Sequence, residues 1–291
     1  MNDTESRTLP EIWRQAVEAQ EGTVLLTDLP YTNSGDFPLH LDLCLPKKTS
    51  TPAPVILWIC WGGWLESDKS WAPFGSLLAA HGFASASLRY RTAREAIAPA
   101  NIHDCKAAVR WLRAHAERYY LDPDRIGAWG SSAGGHLAPL LGLSAGVEAL
   151  EGEGGHAEFS SAVQAVCGFC GPADLTRIAQ PEVREKFPVL YDATRQYLGG
   201  AVEERLELAR LLSTVTYARR EAPPILLFHG TADVSVPVEE SQLLFRALQQ
   251  AGADVELGVL PNEGHSWDHL TLTDAKVVAF FKRVLGDPLA A

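Results

Sequence analysis

RIGAWGSSAGGHLAPLLGL, residues 125–143, runs from a short apolar stretch through Gly130, Ser131, Ser132, Ala133 and Gly134 into a helix-compatible one. The pattern GxSxG between a strand and a helix describes a sharp turn that lifts its central side chain out of a sheet. Glycines two positions either side permit the cramped backbone this needs. The spacing therefore selects Ser132, not Ser131, as a candidate nucleophile. A helix starting there also offers unpaired N–H groups and a positive dipole end to a developing anion.

Working outward, PVILWIC (54–60) is a continuous apolar run, as expected of a strand covered on both faces. FASASL (83–88), VQAVCGF (163–169), PILLFHG (224–230) and DVELGVL (254–260) are further candidate strands. Residues 38–45 instead alternate Leu39, Leu41, Leu43 and Leu45 with His40, Asp42 and Cys44, the period of an antiparallel-type strand with one polar face. Helical spacing over 102–119, with Asn101 as its cap, and over 238–251 and 270–285 alternates with these strands. The pattern predicts an α/β fold with a mostly parallel sheet of about eight strands, helices on both faces, and a single domain over 1–291. Residues 171–222 separate two core strands by far more than a simple loop needs and are expected to hold a small helical cap.

Composition narrows the partners. A formal net charge of −11 repels phosphate backbones and anionic lipid, so nucleic acid and membrane surfaces are not expected partners. No apolar stretch approaches the length of a membrane helix, and the acidic, polar start MNDTESRTLPEIWRQ lacks the form of an export signal. Five irregularly spaced cysteines suit reduced thiols, and the expectation is a cytoplasmic protein. Cys167 and Cys170 form a lone CxxC with no second pair, so no metal or redox role is expected of it.

A serine hydroxyl needs a base to take its proton. Among nine histidines, His265 in NEGHSW lies in a loop after the last candidate strand, at the carboxyl edge of the sheet. His229 and His136 read as packing or hydrogen-bonding residues. The carboxylate that would orient the base is Asp233 in HGTADVSVP, which keeps the order Ser, Asp, His; Asp174, one strand earlier, is the alternative. CWGGW (60–64) follows the first buried strand, and Gly62 and Gly63, with the N–H of Ala133, are candidate oxyanion donors. Trp61, Trp64 and Trp267 are candidate substrate contacts, with core packing the alternative for Trp64 and Trp267.

Taken together, LDLCLP, WGGW with SDKSW, the run IHDCKAAVRWLRAHAERYYLDPDRIGAWGSSAGGHLA, CGPADL, YLGG, HGTADVSVP and EGHSW make residues 36–285 resemble the α/β-hydrolase esterases. The resemblance is to the hormone-sensitive-lipase-like branch, and above all to bacterial bifunctional acetylxylan and feruloyl esterases. It implies the triad Ser132, Asp233 and His265, the oxyanion hole of Gly62, Gly63 and Ala133, and no cofactor. It further implies a small-molecule ester substrate, short acyl or aryl, with acetyl or feruloyl groups on plant-derived sugars as the favoured class. An aryl amidase, formamidase or peptidase with the same triad is the alternative. A non-catalytic receptor on this fold would be expected to lack a triad member, and none is missing. The chain departs from the family's HGGGW by carrying Cys60 and Trp61 in the first two positions, so a bracing hydrogen bond should be lost and an indole added beside the pocket. Activity should fall on acidification through the ordinary histidine range, about 6 to 7.

Overall fold

The computed structural model describes residues 22–34, 37–47, 49–70, 75–266 and 272–290. Eight strands form one sheet: β1 (Thr23–Ser34), β2 (Phe37–Pro46), β3 (Ala53–Ile59), β4 (Ala84–Leu88), β5 (Leu121–Ser131), β6 (Ala165–Phe169), β7 (Ile225–Gly230) and β8 (Val255–Leu260). Their spatial order is β1-β2-β4-β3-β5-β6-β7-β8. β1 and β2 pair antiparallel, as do β2 and β4, and every later pairing is parallel. The sheet is mostly parallel because helices carry the chain back between successive strands.

β3 shows why the sheet must be covered twice. Val55, Leu57 and Ile59 point into one core, shared with Ile102 and Val109 of α2 (Ala100–Ala114), Leu137 and Leu141 of α4 (Ala133–Leu143) and Leu244 of α9 (Val238–Ala251). Ile56 and Trp58 point into the other, with Leu78 of α1 (Gly75–Ala80) and Phe281 of α10 (Asp274–Leu285). All seven residues of β3 are buried, so an apolar run was the only sequence that fits. Short helices complete the set: α3 (Ala116–Tyr119) and α5 (Glu148–Glu151), then α6 (Pro181–Lys186), α7 (Pro188–Tyr197) and α8 (Leu206–Leu212) between β6 and β7. No helix among the described residues is long and apolar enough to cross a membrane.

β1 has no counterpart among the expected strands. Its register slips between Leu26 and Leu29 and again between Pro30 and Thr32, and these irregularities erase the period-2 signal. As an edge strand it also tolerates Pro30. The expected helix over 102–119 starts at Ala100 and breaks at His115, and Asn101 does not cap it. Asn101 lies inside the first turn, buried, where its Oδ1 accepts from its neighbour Ile102 N at 2.9 Å and from the Tyr197 hydroxyl at 3.1 Å. A tertiary partner on α7 took the side chain that sequence spacing assigned to the helix end.

The order reverses beside β3. The chain passes from β3 outward to β4, then crosses back to β5 on the other side of β3. Connections on the two sides diverge there and leave a crevice at the carboxyl ends of the strands, the usual ligand position in such sheets. This topology and the coverage of both faces make the fold that of an α/β-hydrolase. Its stability depends on the double-sided core, so Leu57→Ala in the central strand should cost about 2–5 kcal/mol. The check is a fall in the urea midpoint with the slope of the transition unchanged.

Candidate active site

β3 and β5 pair in parallel with Ile59 opposite Gly130, so the chain leaving β3 and the turn leaving β5 emerge side by side. Ser132 sits in that turn at φ 56° and ψ −116°, a region costly for a residue with a side chain. What holds it there is close backbone packing. A Cβ on Gly130 would stand 2.3 Å from the Gly134 carbonyl oxygen, and one on Gly134 would stand 1.9 Å from that of Ile59. A Cβ on Gly135 would meet the Phe169 oxygen at 2.0 Å, and Ser132 N donates to that same oxygen at 2.8 Å. Three strand ends are thereby locked together under one serine.

The Ser132 hydroxyl lies 2.8 Å from His265 Nε2, and His265 Nδ1 lies 2.7 Å from Asp233 Oδ2. Asp233 follows β7 and is held by its own turn: Oδ1 accepts from Ser235 N at 2.8 Å and Val236 N at 2.9 Å. His229 approaches Oδ2 at 3.2 Å through Nε2, while its Nδ1 faces the Ser241 hydroxyl at 2.7 Å. Burial alone would raise the Asp233 pKa, but hydrogen bonds from His229 and His265 outweigh it and hold the carboxyl well below the usual range. An ionised Asp233 fixes the proton of His265 on Nδ1, which leaves the Nε2 lone pair for the serine proton. Burial pushes His265 toward neutrality, yet the Asp233 carboxylate and the Cys170 thiol beside it reverse this and raise its pKa above the ordinary histidine range.

The remaining candidates fall beside this relay or away from it. Gly62 and Gly63 adopt φ values of 114° and 60°, and a Cβ on Gly62 would meet the Glu66 oxygen at 2.6 Å. The N–H groups of Gly62, Gly63 and Ala133 meet no acceptor among the described residues, and the three residues line the same cavity as Ser132. The bracing expected to be lost with the family's histidine comes from elsewhere: the Tyr90 hydroxyl reaches the carbonyls of Cys60 at 3.3 Å and Glu66 at 3.4 Å. His265 Nδ1 engages Asp233 and not Asp174, whose Oδ1 accepts from Thr176 N and Oγ1 in a local turn.

A cavity of about 460 Å³ opens over Ser132. Trp61 lines it and is 38% exposed, with its indole edge-on to Trp58 at 6.2 Å. Val189, Leu190 and Ala193 of α7 form another wall, and apart from His265 no titratable side chain lines it among the described residues. Trp64 borders the cavity but is only 1% exposed, which corrects its assignment as a substrate contact. Its indole stacks on Tyr197 of α7 at 4.5 Å and 7°, and Nε1–H donates to His136 Nδ1 at 3.2 Å. His136 in turn donates from Nε2 to the Leu212 oxygen at 2.7 Å, and burial lowers its pKa to about 4, so the ring stays neutral. Trp267 lies outside the described residues. Tyr90 is the residue beside the site that sequence reasoning missed; His229, read as a packing or hydrogen-bonding residue, is buried and hydrogen-bonded, with Nε2 also 3.0 Å from the Val236 oxygen.

Comparison with known proteins places this geometry. Esterase LipC of Mycobacterium tuberculosis is 32% identical over 81% of this chain. The chain spans about three-fifths of the length of LipC and of Esterase LipQ from the same organism, at 59% and 60%. A truncated carbohydrate esterase from gut microbiota superposes with a TM-score of 0.80 at 29% identity, over 89% of this chain and 95% of that one. A propionate-bound esterase, Est2 of Thermogutta terrifontis, superposes with a TM-score of 0.71 at 25% identity, over 94% of each. The BD-FAE family model matches residues 41–248, from the alternating strand β2 through the serine turn and the Asp233 loop to α9, and the chain belongs to that family.

Proposed function

We propose that the chain is a serine esterase acting on short neutral carboxylic esters through an acyl-enzyme. The observation that carries this is the series Asp233, His265 and Ser132, linked at 2.7 and 2.8 Å beside three unpaired backbone N–H groups. His265 Nε2 takes the Ser132 proton as Oγ attacks the ester carbonyl, and the charge that moves to the carbonyl oxygen meets Gly62, Gly63 and Ala133. The imidazolium then protonates the leaving alkoxide, and water repeats the sequence to release the acid. Asp233 stays ionised throughout and keeps the ring's proton on Nδ1. His229 is a positioning residue that steadies Asp233.

The cavity supports the choice of substrate. Its walls are mostly apolar, with four serines and no titratable side chain apart from His265, which suits a neutral acyl group, and about 460 Å³ is at the small end for a ligand site. We read 171–222 as a cap over a single domain, since α7 contributes Val189, Leu190 and Ala193 to the wall. The carbohydrate esterase and propionate-bound neighbours support acetyl or similarly short groups, with a sugar as the alcohol. Trp61 at the exposed rim is placed to stack on that sugar or on an aryl acyl group.

Four outcomes test this reading. A fluorophosphonate probe should label Ser132 in folded protein, and His265→Ala should lower turnover of nitrophenyl acetate by about 10⁴ or more. Labelling elsewhere, or retained turnover, would remove the assignment. The pH profile follows from the raised His265 pKa. Below that value the ring is protonated and cannot accept the serine proton, so kcat/KM should begin to fall at a pH above the ordinary histidine range. A profile flat through pH 6 contradicts it. Finally, Trp61→Ala should lower kcat/KM for acetylated xylo-oligosaccharide and methyl ferulate by about three- to tenfold, the size of one lost aromatic contact. Nitrophenyl acetate, with little to stack, should change less.

A further inference from the structure

Cys170 has no part in the acyl transfer, yet it stands against it. It follows β6 directly, is fully buried, adopts φ 42° and is fixed by its N–H to the Phe228 oxygen at 2.9 Å. Its Sγ contacts the Ser131 hydroxyl at 3.7 Å and the His265 carbonyl oxygen at 3.4 Å. One donor atom each from Cys170, Asp233 and His265 lies within 4.8 Å of the other two. The CxxC spacing is irrelevant here, because Cys167 contributes no donor to this group.

A thiolate, an imidazole and a carboxylate form a donor set for a borderline-soft divalent ion. Three protein ligands with a fourth position open is an arrangement Zn²⁺ accepts. The thiolate and carboxylate together carry the two negative charges that match such an ion. Cys170 and Asp233 are buried, whereas the His265 side chain is 28% exposed and borders the cavity, which supplies the route in.

We propose that Cys170, Asp233 and His265 form an inhibitory metal site that takes Zn²⁺ or a similar ion reversibly. The inhibitory part rests on the esterase reading. Binding releases the Cys170 thiol proton to solvent. If the ion takes His265 Nδ1, the neutral ring's one N–H hydrogen is displaced from Nδ1 and is carried on Nε2 instead, by exchange with solvent and with no net loss of a proton. Nε2 then donates to Ser132 instead of accepting from it. If the ion takes Nε2 directly, the lone pair is occupied. Either way the serine loses its base. Coordination through Nδ1 needs the nitrogen and carboxylate oxygen about 3.3 Å apart for tetrahedral bonds of about 2.0 Å. From the present 2.7 Å that is an opening of roughly 0.6 Å, within reach of a histidine carried on a loop.

The test has two readouts on the full chain. Metal-free protein titrated with Co²⁺ should develop a thiolate-to-cobalt charge-transfer band and the strong visible bands of four-coordinate Co²⁺. Cys170→Ala and Cys170→Ser should both lose the charge-transfer band, while Ser132→Ala should keep it. In parallel, Zn²⁺ should inhibit ester turnover saturably and a chelator should restore it. The half-inhibitory concentration should rise at least tenfold in the Cys170 variants, each referred to its own metal-free rate. A cobalt spectrum without the thiolate band, or equal inhibition of wild type and both variants, overturns the site. A thiolate band in a protein that turns over no ester would leave the metal site standing and remove the esterase reading instead.

Discussion

There is no room for a side chain at Gly130, Gly134 or Gly135, and that constraint organises the molecule. Their missing Cβ atoms would collide with backbone oxygens of Gly134, Ile59 and Phe169, at 1.9 to 2.3 Å. The collisions are with main chain, which cannot rotate aside. The carboxyl ends of β3, β5 and β6 are therefore in direct backbone contact with the serine turn and the first residues of α4. Ser132 is left at φ 56° because the turn between β5 and α4 has no other path. The strain is local, and the buried strands and helix around it supply the packing that holds it.

The same compression sets the electrostatics. A serine projecting at the end of β5 can be reached by a histidine on the loop after β8 only if that loop folds back over the intervening strands. Gly230 permits this, since a Cβ there would meet the Glu263 oxygen at 2.2 Å and the Gly264 oxygen at 2.5 Å. The histidine then arrives beside a carboxylate already held by two backbone N–H groups and His229. A carboxylate held in this way need not reorient when the ring becomes charged. Its cost is a base that stays protonated to higher pH than a free histidine. The apolar setting of Cys170 and the closeness of its sulfur to the ring extend the same trade: the packing that organises the relay also assembles a metal's donor set.

Much of this was legible in the sequence, and the exceptions share a cause. Interior strands such as β3 and β7 announce themselves because both faces are buried and every position must be apolar. The serine turn announces itself because its glycines are demanded by steric contact. β1 stayed hidden because bulges break its period. Asn101 was misassigned as a cap because the Tyr197 hydroxyl that engages it lies far along the chain. Tyr90 was invisible for the same reason, as a brace for the CWGGW loop supplied from beyond β4. What local pattern cannot reveal is which distant partner a polar side chain will find.

Trp64 shows the limit most clearly, because its chemistry suited two roles. An indole next to the candidate donor glycines could have faced the substrate, but it faces inward, sandwiched by Tyr197 and hydrogen-bonded to His136. Those two residues belong to α7 and α4, so one side chain ties the CWGGW loop both to the helix that starts at the serine and to the wall of the cavity. The backbone of Trp64 is held too, since its carbonyl accepts from Ala93 N at 2.7 Å. A neutral His136 is required for this, as a charged ring would offer the indole a second donor in place of an acceptor. The CWGGW loop thus does not depend on its own glycines for rigidity. Flexibility at Gly62 and Gly63 allows the turn, and the buried aromatic contact immediately after them removes the freedom that would make it useless.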